Sequence, residues 1–156
     1  MSGERRLYPE RPLVGVMAVV LRGPRALLVR RGRPPMAGRW GFPGGLLELG
    51  ESLAEGAVRE LKEETGVVAT PLETLTAVDS IARDGQGRVR VHYVLVAVRA
   101  LWQEGEGVAG DDAEDVAWLS ADEIRERGLP LAPQLLSLIA LARARENEES
   151  MRRGPF

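Results

Sequence analysis

Residues 45–67 read GLLELGESLAEGAVRELKEETGV, and this stretch contains the clearest structural signals in the chain. Ser52 and Glu55 have the spacing of a capping box, in which two side chains satisfy backbone groups at the start of a helix. Gly66 is a typical residue just beyond a helix end, because glycine adopts the left-handed backbone conformation without strain. The stretch therefore predicts a helix over residues 53–65.

The predicted helix carries carboxylates along one face. Residues three and four apart share a helix face, so Glu60, Glu63 and Glu64 point the same way. Like charges on one face repel each other, and a divalent cation would reverse that repulsion. The alternative is an acidic surface face paired with Arg59 and Lys62. Small or apolar side chains occupy the adjacent arc and could pack against a sheet, namely Ala54, Ala57, Val58, Leu61 and Thr65.

The composition limits the chemistry that this face can support. The chain of 156 residues contains no cysteine and a single histidine, His92. Thiolate chemistry and zinc sites built from several histidines are therefore excluded, and a metal ion would have to be held by oxygen. Hard oxygen ligands favour Mg²⁺ or Mn²⁺, with Ca²⁺ as an alternative.

Size and charge predict one soluble domain spanning residues 1–156, with a core over about 13–145 and frayed termini. Apolar residues make up 44% of the chain, which is enough for one aliphatic core. The net charge of −2 and the scattered basic residues predict no binding to a nucleic-acid polymer. The chain contains no apolar run long enough for a membrane span and no signal-peptide pattern, so we expect no membrane partner and a cytoplasmic location.

Strand and turn signals surround the predicted helix on both sides. Apolar, β-prone runs predict strands at 13–21, 25–29, 67–82, 88–100 and 116–119. The glycine-rich acidic stretch 101–115 predicts a mobile loop. A second capping box predicts a short helix ending at Gly128, and residues 132–145 predict a last helix followed by a frayed polar tail. Together these elements predict an α/β protein of the α+β type, with helices on both sides of a mixed sheet.

The opening stretch also forms a longer pattern, Gly45-x5-Glu51-x7-Arg59-Glu60-Leu61-x-Glu63-Glu64-x-Gly66-Val67. This pattern resembles the Nudix box at every defined position. The resemblance implies the Nudix fold, an α/β/α sandwich around a mixed sheet, and residues about 13–119 look like the core of that family. It also implies a hydrolase that cleaves a nucleoside diphosphate linked to another moiety.

The resemblance assigns roles to individual residues. The implied ligands of Mg²⁺ or Mn²⁺ are Gly44, Glu51, Glu60, Glu63 and Glu64. Arg59 matches a position that binds metal or holds the glutamates in place. Glu63, Glu64 and Arg59 would therefore act in catalysis by metal-activated water.

A later acidic loop often supplies the general base in enzymes of this family. Asp112 is the first candidate here and Glu114 the next, within a cluster that also contains Asp111 and Asp115. The alternative is a solvated acidic loop without a catalytic role.

The wider pattern resembles the branch of the family described as ADP-ribose pyrophosphatases. It consists of RGRPPMAGRWGFPGG at residues 31–45 and RVRVHYVLV at residues 88–96. This branch implies cleavage of ADP-ribose to AMP and ribose 5-phosphate, with Arg31, Arg39 and Arg83 as candidates for substrate binding. Because related enzymes are often dimers, the resemblance also suggests a homodimer.

Other functions stay open at this point. Residues 81–83 read Ile-Ala-Arg where one ADP-ribose group has a proline, so a nucleoside triphosphate cleaved with release of pyrophosphate is the second candidate substrate. A nucleotide-sensing module without catalysis is the third reading. Trp118 could stack on a base, whereas Trp40 is expected to pack in the core.

Overall fold

The computed structural model describes residues 5–33, 36–110 and 112–154 of the chain. These residues form seven β-strands and three α-helices, numbered in chain order. The strands are β1 (Leu13–Arg22), β2 (Arg25–Arg31), β3 (Trp40–Gly41), β4 (Gly44–Leu46), β5 (Val68–Arg83), β6 (Val89–Glu104) and β7 (Ala113–Leu119). The helices are α1 (Leu53–Thr65), α2 (Ala121–Arg127) and α3 (Leu135–Arg153).

The described strands belong to one sheet, as predicted. Its main path is β3-β2-β1-β6-β5, with β4 paired to β1 and β7 paired to β2. β1 and β6 run parallel, while the other pairings are antiparallel. β1 therefore lies near the centre of a mixed sheet, with β6 along one side and both β2 and β4 along the other.

Helices cover both faces of this sheet. Because successive side chains of a strand point to opposite faces, β1 contributes to two separate cores. On one face, Ala18 and Val20 pack with Ala57 and Leu61 of α1. On the other face, Val19 belongs to a core that includes Ile124, Leu135, Leu138, Ile139 and Ala142 of α2 and α3. The predicted α/β/α sandwich is confirmed.

The ends of α1 lie where the sequence predicts. The Ser52 side chain accepts a hydrogen bond from the Glu55 backbone N–H, and the Glu55 side chain accepts one from the Ser52 backbone N–H. Gly66 follows the helix in the left-handed conformation, with a φ of 74°. A second capping box, beginning at Ser120, opens α2 in the same way.

The acidic loop is shorter than predicted. β6 continues to Glu104, which pairs with Val68, and β7 already begins at Ala113, which pairs with Arg31. The sequence prediction of a loop over residues 101–115 is wrong at both ends, because pairing with neighbouring strands extends β6 and β7 beyond their apolar segments. Residues 105–110 and 112 lie between these strands without regular structure, and we call them the acidic loop below.

The last helix differs from its prediction at both ends. α3 begins at Leu135 because Gln134 has a φ of 66°, which a helix does not accommodate. It continues to Arg153, so the prediction of a frayed tail after residue 145 is wrong over most of that segment. Ion pairs of Glu149 with Arg99 and Arg153 accompany the added turns. Within the described ranges, no helix has both the length and the apolar character that crossing a membrane requires.

Candidate active site

β4 lies between β1 and the carboxylate face of α1, and two glycines permit this close approach. Gly44 and Gly45 pair with Met17 and Val16 of β1. A Cβ on Gly44 would clash with the Val16 backbone, and a Cβ on Gly45 would lie 2.5 Å from the Glu60 carboxylate. A larger residue at position 44 would therefore push β4 away from β1, and one at position 45 would push it away from the helix.

Arg59 connects the carboxylates of α1 to the chain that precedes the helix. Its guanidinium donates through Nε and Nη2 to the Glu51 carboxylate, and Nη2 also donates to the Leu46 carbonyl at 3.1 Å. Its Nη1 donates to Glu60 at 2.8 Å and to Glu63 at 3.3 Å. The hydrogen bonds from Arg59 lower the pKa of Glu51. Arg59 thus favours the ionised form of Glu51 and holds the three carboxylates close together despite their mutual repulsion.

Glu64 is partly buried and accepts a hydrogen bond from the Gly44 backbone N–H at 3.3 Å. Burial raises the pKa of Glu64 to about 7. The positive charge of Arg31 and the bond from Gly44 oppose this rise, while the negative charges of Glu60 and Asp112 add to it. Arg31 and Asp112 therefore both lie within electrostatic range of Glu64, although the three residues come from distant parts of the sequence.

The carboxylate face fits a metal ion that completes its coordination with water or substrate oxygens. In residues 5–33, 36–110 and 112–154, no three carboxylate or imidazole groups converge into a complete metal site. Arg59 forms ion pairs with Glu51, Glu60 and Glu63, and Glu60 and Glu64 lie beside the glycines of β4. Mg²⁺ commonly binds through one or two carboxylates and keeps several waters or phosphate oxygens. This oxygen-only donor set suits Mg²⁺ or Mn²⁺.

The acidic loop is attached to the end of α1 that carries Glu64. The Val108 N–H donates to the Thr65 carbonyl at 2.8 Å, and the Gly110 N–H donates to the Glu64 carbonyl at 2.7 Å. The last carbonyls of a helix have no partner within the helix, so these bonds satisfy groups that would otherwise need water. A Cβ on Gly110 would clash with the carbonyls of Glu63 and Glu64. The close spacing of glycines in this segment was the available sequence signal for such a contact.

The candidates for the general base have different surroundings. Asp112 forms an ion pair with Arg33 at 3.1 Å, and its backbone carbonyl accepts a hydrogen bond from the Gly32 N–H at 3.2 Å. Glu114 pairs with Arg30 at 3.0 Å, and the Asp115 side chain accepts from the next backbone N–H. Asp112 is the one of these three whose charge acts on Glu64. Asp111 lies outside the described residues.

Arg31, one of the arginines proposed for substrate binding, lies near this site and Arg39 lies next to it, and neither has an acidic partner among the described residues. Arg30 forms an ion pair with Glu114 and Arg33 forms one with Asp112, but Arg31 forms no ion pair with any described residue. Its charge acts on Glu64. Arg39 is exposed, and its backbone carbonyl accepts a hydrogen bond from the Arg31 N–H at 3.0 Å. Arg31 is therefore available to bind an anion beside the carboxylates.

Arg83 is not brought to the glutamates. It lies at the tip of the β5–β6 hairpin and donates to the Gly87 carbonyl at 3.0 Å. Arg83 pairs with Val89 of β6. Gly44 pairs with Met17 of β1, which in turn pairs with Ala97 of β6, eight residues from Val89. At a rise of about 3.3 Å per residue, this separation is roughly 26 Å.

Both tryptophans considered for base stacking have neighbours of their own. Trp40 is 6% exposed and belongs to the core on the α3 side of the sheet, as expected. Trp118 donates its indole N–H to the Glu106 carbonyl at 2.7 Å, and the Arg22 guanidinium lies 5.4 Å from its ring. Trp118 is therefore engaged with the acidic loop, a role that the sequence did not predict.

The mixed sheet between two helical layers, with a glutamate-bearing helix beside a glycine strand, defines an α/β/α hydrolase of the Nudix class. The family model described as the NUDIX domain matches residues 11–139. The chain belongs to the Nudix hydrolase family.

Individual relatives differ in the activity their names give. The chain is 33% identical over 120 residues to an ADP-ribose pyrophosphatase of Methanocaldococcus jannaschii, covering 76% of this chain and 68% of that protein. It is 32% identical to a putative 8-oxo-dGTP diphosphatase 2 of Mycobacterium tuberculosis, covering 71% of this chain and 75% of that protein. The solved NUDIX domain of Shewanella oneidensis NrtR in complex with ADP ribose aligns with a TM-score of 0.69 and 32% identity, covering 87% of this chain and 89% of that one.

Proposed function

We propose that this Nudix hydrolase cleaves ADP-ribose to AMP and ribose 5-phosphate with the help of Mg²⁺ or Mn²⁺. The observation that carries the proposal is the placement of Glu60 and Glu64 beside β4, with Arg31 and Asp112 within electrostatic range of Glu64. The similarity to an ADP-ribose pyrophosphatase and to a domain solved with ADP ribose supports this choice of substrate.

The residues of the site divide the work of hydrolysis. Glu60 and Glu64 would hold the divalent ion, with Gly44, Glu51 and Glu63 as further candidate ligands. When bound, such an ion neutralises charge on the diphosphate and makes an attacking water more acidic. Arg59 orients the glutamates through the hydrogen bonds described above.

Substrate binding and proton transfer fall to residues outside α1. Arg31 binds a phosphate oxygen. Its guanidinium has no acidic partner among the described residues, and the planar guanidinium group matches the geometry of phosphate. Arg39 is the second candidate for this contact. Asp112 accepts the proton of the attacking water, whose oxygen bonds to one phosphorus as the bridging P–O bond breaks. The second phosphate leaves with the bridging oxygen.

Arg83 is assigned to substrate binding only by the resemblance to the ADP-ribose branch. At its distance from Glu64 within one chain, it would contact a different part of a bound molecule or a second copy of the chain. A homodimer would be needed for the second arrangement.

Hydrolysis of a nucleoside triphosphate is the second candidate function. It is favoured by the similarity to a protein named as an 8-oxo-dGTP diphosphatase. The chain also has Ile81 where one ADP-ribose group has a proline. The same carboxylates could serve both reactions, because both break a bond between two phosphates.

The products of a substrate panel separate these functions. ADP-ribose and a set of nucleoside triphosphates, including 8-oxo-dGTP, are incubated with the protein and Mg²⁺, and the products are separated by chromatography. We expect AMP and ribose 5-phosphate without pyrophosphate. Release of pyrophosphate with faster turnover of a triphosphate would favour the second candidate, and tight binding of ADP-ribose without any cleavage would favour a sensor.

A further inference from the structure

Arg22, at the end of β1, is held between two tryptophan rings. Its guanidinium carbon lies 4.0 Å from the centre of the Trp102 ring and 5.4 Å from that of Trp118. Nη1 and Nη2 donate to the two carboxylate oxygens of Glu106 at 2.9 and 3.0 Å. A planar guanidinium can stack on rings and bind a carboxylate through both of its arms at once. We call these four residues the Arg22 cluster.

The same cluster binds the backbone of the acidic loop at its first two residues. The Trp102 indole N–H donates to the Gly105 carbonyl at 2.8 Å, and the Trp118 indole N–H donates to the Glu106 carbonyl at 2.7 Å. Arg22 lies against both rings that make these bonds and also binds the Glu106 side chain. The start of the loop is therefore fixed by side chains from β1, β6 and β7.

The remainder of the loop runs from this fixed start to the catalytic helix. Gly107 has a φ of 94°, and a Cβ there would lie 2.9 Å from the Val116 side chain, so the backbone turns in close contact with β7. Val108 and Gly110 then donate to the last carbonyls of α1, and Asp112 follows beside Arg33 and Gly32. The position of Asp112 thus depends on contacts at both ends of the loop.

We propose that Arg22 is a positioning residue for hydrolysis: through Trp102, Trp118 and Glu106 it holds the acidic loop against α1 and so keeps Asp112 beside Glu64. Arg22 does not touch Glu60 or Glu64 and acts only through the loop. This inference rests on the proposed function, in which Asp112 accepts the proton.

Amide hydrogen exchange tests the structural part of the proposal without any substrate. In Arg22→Ala, the amides of Val108 and Gly110 should exchange about threefold to tenfold faster, because stacking and ion pairing by Arg22 no longer stabilise the loop in contact with α1. Exchange in the centre of β1 and β6 should not change. Arg25→Ala is the matched control, because Arg25 also forms a surface ion pair at 2.9 Å, with Glu123, but does not contact the loop. Unchanged exchange at Val108 and Gly110 would overturn the proposal.

Kinetics with ADP-ribose and Mg²⁺ test the catalytic part. Arg22→Ala should lower kcat by about threefold to tenfold with little change in KM, because a misplaced base slows the chemical step more than binding. Arg22→Lys, which keeps the charge but loses the two-armed contact, should give an intermediate kcat. Arg25→Ala should behave like the wild type.

A double-mutant cycle decides whether Arg22 acts through Asp112. Asp112→Asn should lower kcat, and adding Arg22→Ala to it should cause no further loss, because the two changes then remove the same contribution. Independent losses, or an unchanged kcat in Asp112→Asn, would overturn the proposal. A failure of the proposed function can be distinguished from a failure of this proposal. In that case the wild type would not cleave ADP-ribose, but Arg22→Ala would still speed amide exchange at Val108 and Gly110.

Discussion

Arg59 shows how a single residue can make a repulsive cluster part of a stable fold. Its guanidinium contacts Glu51, Glu60 and Glu63 and also a backbone carbonyl, so it fixes the carboxylates while it balances their charge. Glu64 lies outside these contacts and accepts its hydrogen bond from the Gly44 backbone instead. The two glutamates nearest β4 are therefore supported in different ways, Glu60 by a charge and Glu64 by a peptide N–H.

The pKa of Glu64 leads to a prediction for the stability of the metal-free protein. The folded pKa of about 7 exceeds the ordinary value of 4.5, so the folded state binds this proton more tightly than the unfolded state. The resulting contribution to the free energy of unfolding is fully present below pH 4.5 and is lost as the pH rises through 7. We expect a loss of about 1–3 kcal/mol between pH 5 and pH 8.

Urea unfolding in the presence of a chelator measures this effect. Other groups also titrate in this range, so the comparison is between the wild type and Glu64→Gln, which has no proton to lose at this position. The wild type should lose more stability than the variant as the pH rises. Parallel pH profiles for the two proteins would contradict the assigned environment of Glu64.

At the level of elements, β4 determines how closely the sheet approaches the carboxylates of α1. We predict that Gly45→Ala weakens Mn²⁺ binding by about tenfold. The added Cβ would lie only 2.5 Å from the Glu60 carboxylate, so the carboxylate would have to move. Isothermal titration of Mn²⁺ measures the affinity. Gly85→Ala is the matched control, since a Cβ at Gly85 would meet nothing within 4 Å. Equal Mn²⁺ affinities in the two variants would argue against Glu60 as a ligand beside β4.

Helix ends were predictable from the sequence because the interactions that form them are local. Ser52 with Glu55 and Gly66 mark the two ends of α1 as expected, within four residues of the groups they satisfy. Strand ends were less predictable, because β6 and β7 extend as far as their partners do. The start of α3 depends on the left-handed backbone conformation of Gln134, and no capping pattern in the sequence predicts that conformation.

At the level of the whole molecule, the carboxylate helix was visible in the sequence, but the surroundings that complete the site were not. Arg31, Glu64 and Asp112 are distant in sequence and meet only because β2 pairs with β7 and the acidic loop crosses the end of α1. Arg22 and Glu106 are separated by 84 positions, and their contact follows from the parallel pairing of β1 with β6. Such contacts depend on strand order, which local patterns do not contain.

The whole-molecule arrangement also separates catalysis from substrate choice. In the proposed mechanism, the carboxylates of α1 beside the glycines of β4 would hold the ion that assists cleavage of the diphosphate. Arg31 lies at the end of β2, Arg39 just before β3 and the acidic loop between β6 and β7, whereas Arg83 lies on a distant hairpin. Differences in substrate among the relatives can therefore arise without changes in α1.

The central claim is that the carboxylate face of α1 carries out metal-dependent hydrolysis. The most direct test is the rate of AMP formation from ADP-ribose with Mg²⁺ in Glu64→Gln, with Glu126→Gln, an exposed glutamate on α2, as the control. We predict that kcat falls at least about 100-fold in Glu64→Gln, that it is unchanged in Glu126→Gln, and that a chelator abolishes wild-type turnover. Wild-type rates in Glu64→Gln, or turnover that persists in the chelator, would contradict the claim.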